Sequence, residues 1–446
     1  MSTTSSSRVP RSMEKYERAL ELIPGGTQLI SRRPSRFAYG VSPAYATRAQ
    51  GARFWDVDGH EYIDWVSGIG AIILGYADPV VNEDVTNIIA AGIGFSVNHE
   101  LEVELAEELV RRVPCAEMVR YAKGGGDACA VAVRIARGAT GRDKILFCGY
   151  HGWHDWYLAA NLDADASLDA HLFPGIEPTG VPRALTGTAI PFPYGDLDAL
   201  VQKLEEHRGE IAAVIMEPMR SEEPPDGYLA AVADAARDQG AVLIFDEVST
   251  GFRPSAAGSQ PVVGVTPDMA VFAKSISNGF PMGAVVGTRA VMEPADRMFI
   301  SSTCWSDPIG LRAALTTLRE VERRDAPATI QNTGRELKRR LNDVAAETGV
   351  AVTCSGVDYH PHLTFDAPAD LTVQLNTLYV QEMAKRGCHG YASFYLNAAQ
   401  GPAEIDQTVD AARESFARIK DAWDNNRIDQ MMECEPRSEF FRRLVS

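Results

Sequence analysis

Two apolar runs of this chain end in residues that could do chemistry together. AVLIF ends at Asp246-Glu247, and MAVFA ends at Lys274. Ligands of open parallel sheets bind outside the carboxyl ends of the strands, so an amine and a carboxylate placed there would face one ligand. A lysine in apolar surroundings has a depressed pKa and becomes a nucleophile. A carboxylate beside a pyridine nitrogen keeps that nitrogen protonated and makes the ring an electron sink. Taken singly, each residue is equally an ordinary polar strand end.

Other residues fit the same reading. Lys123-Gly124-Gly125-Gly126-Asp127 lies between the run MVRYA and the helical pattern ACAVAVRIARG. Glycines in that place let backbone N–H groups approach an anion at a helix N-terminus, although three glycines also make a plain flexible turn. The loop is neither a Walker loop nor a G-x-G-x-x-G fingerprint. Tyr150-His151-Gly152 follows the run KILFC, where an aromatic ring could stack on a flat cofactor. No carboxylate or cysteine pattern completes a metal site around His151 and His154, so hydrogen-bonding or packing roles are expected and no metal. Trp153 and Trp156 read as pocket or interface aromatics.

These residues need elements to hold them. MVRYA, KILFC, AAVIMEP, AVLIFDEV, MAVFAK and GAVVG are mostly continuous rather than alternating, as expected of strands buried on both faces. Glu217, Asp246 and Lys274 are spaced by about 30 residues, one strand-helix-strand unit each. The spacing predicts an α/β fold with a large, mainly parallel sheet. Before it, RFWDVDGHEYIDWVSG reads as a hairpin around the two-residue turn Asp58-Gly59. A helix is expected over Met13–Leu22 after a disordered start, a long one over Ile309–Arg324, and a last amphipathic one in the tail with Phe440, Phe441, Arg442 and Arg443. VAVTCSG and HPHLTF read as short strands. The expected division is an N-terminal arm with part of a small domain over 1–79, a large domain over 80–310, and a C-terminal small α+β domain over 311–446.

Length and composition bound the function. The 446 residues suit two or three domains. Sixty Asp and Glu against 43 Lys and Arg leave a formal charge of −17, which argues against nucleic acid or an anionic membrane as partner. A local basic pocket for a small anion stays compatible with it. Cys115, Cys129, Cys148, Cys304, Cys354, Cys388 and Cys434 are scattered without a C-x-x-C pair, so reduced thiols and a cytoplasmic location are expected. The polar start MSTTSSSRVP shows no signal peptide, and no apolar run is long enough to span a bilayer.

Taken together, the motifs resemble the class III aminotransferases, within fold type I of the pyridoxal-phosphate (PLP) enzymes. The nearest subgroup is similar to glutamate-1-semialdehyde 2,1-aminomutase. GARFWDVDGHEYIDWVSG, VRIARGATGRDKI, GYHGWHD, AVIMEP, LIFDEVSTGFR and KSISNGFPMGAVVG carry the likeness, in order, from about Pro24 to Phe416. The resemblance implies that Lys274 is the Schiff-base lysine and that Asp246 pairs with the pyridinium nitrogen. It implies that Val248 and Tyr150 pack on the two ring faces, and that Glu217 lies near the ring hydroxyl. Gly125 and Gly126 match the loop that binds the cofactor phosphate. Thr303 matches the threonine that reaches the phosphate in the neighbouring subunit, so a homodimer with shared active sites is implied. Arg32, in register after Pro24-Gly25-Gly26, matches a carboxylate-binding arginine, and Arg33 adjoins it.

The sequence also departs from the family pattern. Gly124 and Gly126 replace hydroxyl residues of the phosphate loop, Asp307 replaces an Asn, and Tyr76 replaces a His. Leu29 and Ile69 replace a serine and a tryptophan on the aminomutase's substrate side. The leading expectation is therefore an aminotransferase acting on a small, anionic amine or amino acid. In it Lys274 would serve first as the bonded amine and then as acid and base. An aminomutase, racemase or lyase would use the same constellation, since carbanion stabilisation belongs to the cofactor. A non-catalytic PLP-binding protein does not suit the presence of both Lys274 and Asp246.

Overall fold

The computed structural model describes residues 7–164, 166–171, 174–219 and 221–437. The helix expected around Phe440 to Arg443 lies outside the described residues. The chain divides into two compact units. One holds the described residues up to Gly70, Leu74–Asp78 and those from Ala328 onward; the other holds Ala71–Ile73 and Pro79–Pro327.

The second unit is built on a seven-stranded sheet. Its strands are β1 (Met118–Ala122), β2 (Lys144–Cys148), β3 (Ala189–Pro191), β4 (Ile211–Met216), β5 (Val242–Asp246), β6 (Met269–Phe272) and β7 (Gly283–Gly287). Their spatial order is β1-β7-β6-β5-β4-β2-β3. Five run parallel from β3 to β6, while β7 is antiparallel to both β6 and β1. It follows that β1 points the same way as β6, and that Ala122, Cys148, Met216, Asp246 and Phe272 all end at one edge.

Every residue of β4, β5, β6 and β7 is buried. Such strands are covered on both faces and so carry no polar residue until they leave the sheet. The helix Gly125–Thr140 covers one face with a stripe of small and branched residues, among them Ala128, Ala132, Val133 and Ala136. That helix begins earlier than its apolar pattern suggests. Its first turn contains Gly125 and Gly126, with Gly124 at the N-cap. The short edge strand β3 was not among the expected strands, because AIP is too brief to show a period.

In the first unit, Arg53–Asp56 and Glu61–Asp64 pair antiparallel, as the hairpin reading expects, and Ala46–Gln50 and Cys388–His389 complete a four-stranded sheet. The connection is longer than a two-residue turn. The Asp56 carboxylate accepts the His60 amide at 2.7 Å, and Gly59 takes φ +95°. Asp58 is thereby turned toward the N-terminal helix, where it accepts the Arg11 amide at 2.7 Å and the Ser12 amide at 3.0 Å. Disorder is expected from the sequence up to about residue 12; residues 1–6 lie outside the described residues, and beyond them the expectation is corrected, since the helix runs from Pro10 to Leu22. Proline suits a first helical position, and the distant carboxylate satisfies amides that the helix leaves open. Val352–Ser355 and His362–Phe365 pair as a separate antiparallel ribbon.

Asp58→Ala should remove this cap, lowering stability by about 1 kcal/mol. The check is the denaturation midpoint together with hydrogen exchange at Arg11 and Ser12. Unchanged exchange there would show that the cap is dispensable.

Candidate active site

The sheet edge collects the expected residues of the second unit. Asp246 and Glu247 are sequence neighbours at the end of β5, so their side chains leave on opposite faces. Glu247 turns into the protein, accepting the Ser259 amide at 2.6 Å and the Gln260 side-chain amide at 3.3 Å. Burial pushes its carboxyl up to about 7. Asp246 has a different set of partners. Its Oδ1 accepts the Val248 amide at 2.9 Å, and its Oδ2 lies 2.7 Å from His151 Nδ1 and 3.3 Å from Cys129 Sγ.

The second nitrogen of His151 faces the Cys148 carbonyl oxygen at 3.2 Å. A carbonyl oxygen only accepts, so Nε2 carries a hydrogen. On its other side His151 joins Asp246 in a buried hydrogen-bonded pair. Burial and the nearby carboxylate push the Cys129 thiol well up, which keeps it a donor.

Neither Cys129 nor His151 stands out as Asp246's partner in the sequence. One lies on the inner stripe of a helix and the other just past a strand, and only the parallel sheet makes them neighbours. The donor atoms of Cys129, His151 and Asp246 all lie within 4.8 Å of one another, although no metal-ligand spacing appears in the sequence. Here they are joined by hydrogen bonds.

Lys274 opens a short 3-10 turn, Lys274–Ser277, with its backbone in the left-handed region at φ +49°. A non-glycine residue there is uncommon and strained. The amine donates to the Ser249 hydroxyl at 2.8 Å. Burial draws its pKa below the ordinary lysine value, and the carboxylates of Glu217 and Asp246 offset this only in part. Glu217, just past β4, lies 3.4 Å from the Tyr150 amide through its carboxylate. Tyr150 is partly exposed beside it.

The glycines fit a tight cradle. A Cβ on Gly125 would stand 2.7 Å from a methyl of Val248, and one on Gly152 would stand 2.5 Å from the Gly126 Cα. Val248 thus meets the glycine loop at Gly125, and the Tyr150-His151-Gly152 turn meets it at Gly126. The first-turn amides of Gly125–Thr140 are those a helix leaves without an internal partner, and no side chain caps them. They form a place for an anion. Lys123, beside the loop, pairs with Asp307, the N-cap of the helix Pro308–Arg323.

The two remaining expected residues are Thr303 and Arg32. Thr303 lies in an exposed turn before the helix Pro308–Arg323. Arg32 belongs to the first unit, where it ends the short turn Ile30–Arg32. It is exposed and its charge acts on Tyr76, whose hydroxyl donates to Asp64 at 2.5 Å. The adjacent Arg33 is buried and packs on Gly25, which separates the two arginines.

Comparison with known proteins agrees with this arrangement. A family model described as Aminotransferase class-III matches residues 37–355. A 3-aminobutyryl-CoA aminotransferase of Cloacimonas acidaminovorans (strain Evry) is 35% identical over 424 residues, which are 93% of this chain and 98% of that protein. A glutamate-1-semialdehyde 2,1-aminomutase of Syntrophobacter fumaroxidans (strain DSM 10017 / MPOB) is 33% identical over 432 residues, 92% of this chain and 98% of that protein. A solved structure described as a transaminase with PLP bound is 26% identical, with a TM-score of 0.81 over 92% of this chain and 98% of that one. A likeness running nearly end to end in sequence and fold leaves one family: this chain belongs to the class III aminotransferases, fold type I enzymes whose cofactor is PLP.

Proposed function

We propose that the protein transfers an amino group between a small anionic amine or amino acid and an oxo acceptor, with Lys274 as the PLP-bonding lysine. The observation that carries this reading is the convergence of the Lys274 amine and the hydrogen-bonded Asp246 carboxylate at one sheet edge, beside an uncapped helix start. These residues suit the cofactor. The Gly125 and Gly126 amides would hold its phosphate, Val248 and Tyr150 would flank its ring, and Glu217 would lie near the ring hydroxyl. When bound, PLP supplies an electron sink for the charge released at the substrate's α-carbon.

The protein's own part is positional and protonic. Asp246, fixed by Val248, His151 and Cys129, holds negative charge against the ring nitrogen. His151 acts through Asp246 as a positioning residue. Burial shifts Lys274 toward the neutral amine, the form that can take a proton from one carbon and return it to another. Such a base works best when its pKa lies close to the operating pH.

The substrate's anion we assign to Arg32, whose guanidinium suits a planar carboxylate. It is exposed beside the Tyr76–Asp64 pair, whereas Arg33 is committed to packing. The relative named for 3-aminobutyryl-CoA makes a β-amino thioester a second donor class to try. An aminomutase reading is favoured by the relative named for that activity, and it predicts no released oxo product.

We also read the protein as a homodimer in which Thr303 serves the neighbouring subunit. Phe299, Val97 and Trp153 are 83%, 78% and 68% exposed in the single chain, large apolar side chains of the kind a second copy covers. Its seven free cysteines suit a reducing cytoplasm, and no helix among the described residues is long and apolar enough to cross a membrane.

Three outcomes test these roles. Borohydride reduction of the holoenzyme should fix PLP on the peptide containing Lys274, and Lys274→Ala should abolish the adduct. Recovery of the adduct on another lysine would remove Lys274 from this role. Asp246→Asn keeps the shape but loses the charge, and turnover should fall far more than tenfold, ~1.4 kcal/mol in the barrier. A smaller loss would mean that the ring nitrogen is served otherwise. Arg32→Leu should raise KM for an acidic amine roughly tenfold or more while sparing a neutral one, whereas Arg33→Leu should lower stability. Equal effects of Arg32→Leu on both amines would place the anion site elsewhere.

A further inference from the structure

Lys274 has one hydrogen-bond partner among the described residues, the hydroxyl of Ser249. The segment that carries Ser249 leaves β5 directly and is pinned on both sides. Val248 donates its amide to Asp246, Thr250 donates its hydroxyl to the Met219 carbonyl at 3.0 Å, and the Gly251 amide donates to the Glu247 carbonyl at 2.7 Å. The Ser249 backbone is therefore held in place relative to Asp246, and its one-carbon side chain leaves the oxygen only a few staggered positions. A lysine side chain is the opposite, a long stem with many rotamers. One fixed acceptor selects one orientation of its nitrogen.

The type of acceptor matters as well. A carboxylate within ion-pair distance would hold the amine as an ammonium ion, which has no lone pair to attack with. A hydroxyl oxygen takes one N–H without demanding that charge. Burial already favours the neutral amine, which carries two N–H bonds and one lone pair. With one N–H spent on Ser249, the lone pair stays available.

We propose that Ser249 is a positioning residue for Lys274: its oxygen accepts an N–H of the free amine and aims the nitrogen lone pair at the carbonyl carbon that Lys274 attacks. This rests on the reading of Lys274 as the PLP-bonding lysine. In that step a C=N bond forms between Nζ and the cofactor's carbonyl carbon. The two N–H protons and the carbonyl oxygen leave as one water, and nothing is oxidised or reduced. Ser249 is unchanged at the end and is free to receive the amine again when the substrate displaces it.

The test uses the full-length protein stripped of cofactor and mixed with PLP. Visible absorbance follows the bond-forming step, and quenching of protein fluorescence follows the preceding non-covalent binding. Ser249→Ala should slow bond formation tenfold or more, ~1.4 kcal/mol or more, with the non-covalent affinity within about twofold of wild type. Ser249→Thr keeps the acceptor and should restore the rate to within about threefold. Ser249→Cys keeps the shape but is a weak acceptor, and should behave like Ser249→Ala. A packing role predicts the reverse order, with the larger threonine worst and cysteine best. That order, or bond formation by Ser249→Ala within about twofold of wild type, overturns the proposal. Lys274→Ala is the separate control. If it still bonds PLP covalently, the reading of Lys274 fails whatever Ser249 does.

Discussion

Strands buried on both faces cannot hold charge along their length. The penalty for an unpaired ionised group in such a place is several kcal/mol or more, so ionisable residues move to where the strand leaves the sheet. In this protein β4, β5, β6 and β7 are apolar throughout apart from Asp246, the last residue of β5. Parallel direction then brings the ends of separate strands to one edge. Glu217, Asp246 and Lys274 are distant in sequence but follow three adjacent strands. The site is a consequence of that topology, and the interior of the sheet serves as its rigid support.

Asp246 shows what the position costs and how the fold meets that cost. A buried carboxylate needs donors for its lone pairs, and the chain provides a backbone amide, an imidazole and a thiol. This set of contacts leaves the carboxylate satisfied from within the protein. It also means the carboxylate cannot be changed in isolation. His151 is stacked on Trp156 and edge-on to Phe147 and Tyr157, so its ring is fixed by packing before it meets Asp246. Precision at the ring nitrogen is thus inherited from an aromatic cluster one layer behind.

Much of this was legible in the sequence. KILFC and GAVVG coincide with β2 and β7, because a continuous apolar run flanked by glycine or charge reads clearly as a buried strand, and MVRYA coincides with β1, which is only partly buried. Asp246 and Lys274 stood out as polar residues ending such runs. The rest depended on tertiary neighbours. Nothing local marks Cys129 or His151 as partners of Asp246, or Ser249 as the acceptor for Lys274, since each contact closes between elements far apart in the chain. The first turn of the N-terminal helix was missed because its cap comes from Asp58 on a hairpin rather than from the preceding residue. Arg32 and Arg33 are alike in type, and only the fold shows that one is buried and the other exposed.

The glycine loop raises a question of how an anion site is made rigid without hydroxyl side chains. A loop of three glycines has more conformational freedom to lose than any other sequence of its length. Here that freedom is removed by contact rather than by hydrogen bonds. Val248 fills the space where a Cβ of Gly125 would be, and the Gly152 backbone, at φ +101°, lies so close to Gly126 that Gly152 could not carry a side chain. The helix that starts there adds the end of its dipole and its open amides. Because Val248 also belongs to the segment that carries Asp246 and Ser249, the same few residues set the phosphate cradle, the ring contact and the lysine acceptor. A shift in that segment would move all three together, so the geometry relating Lys274 to the anion site is conserved as a unit even while the loop itself contributes only backbone.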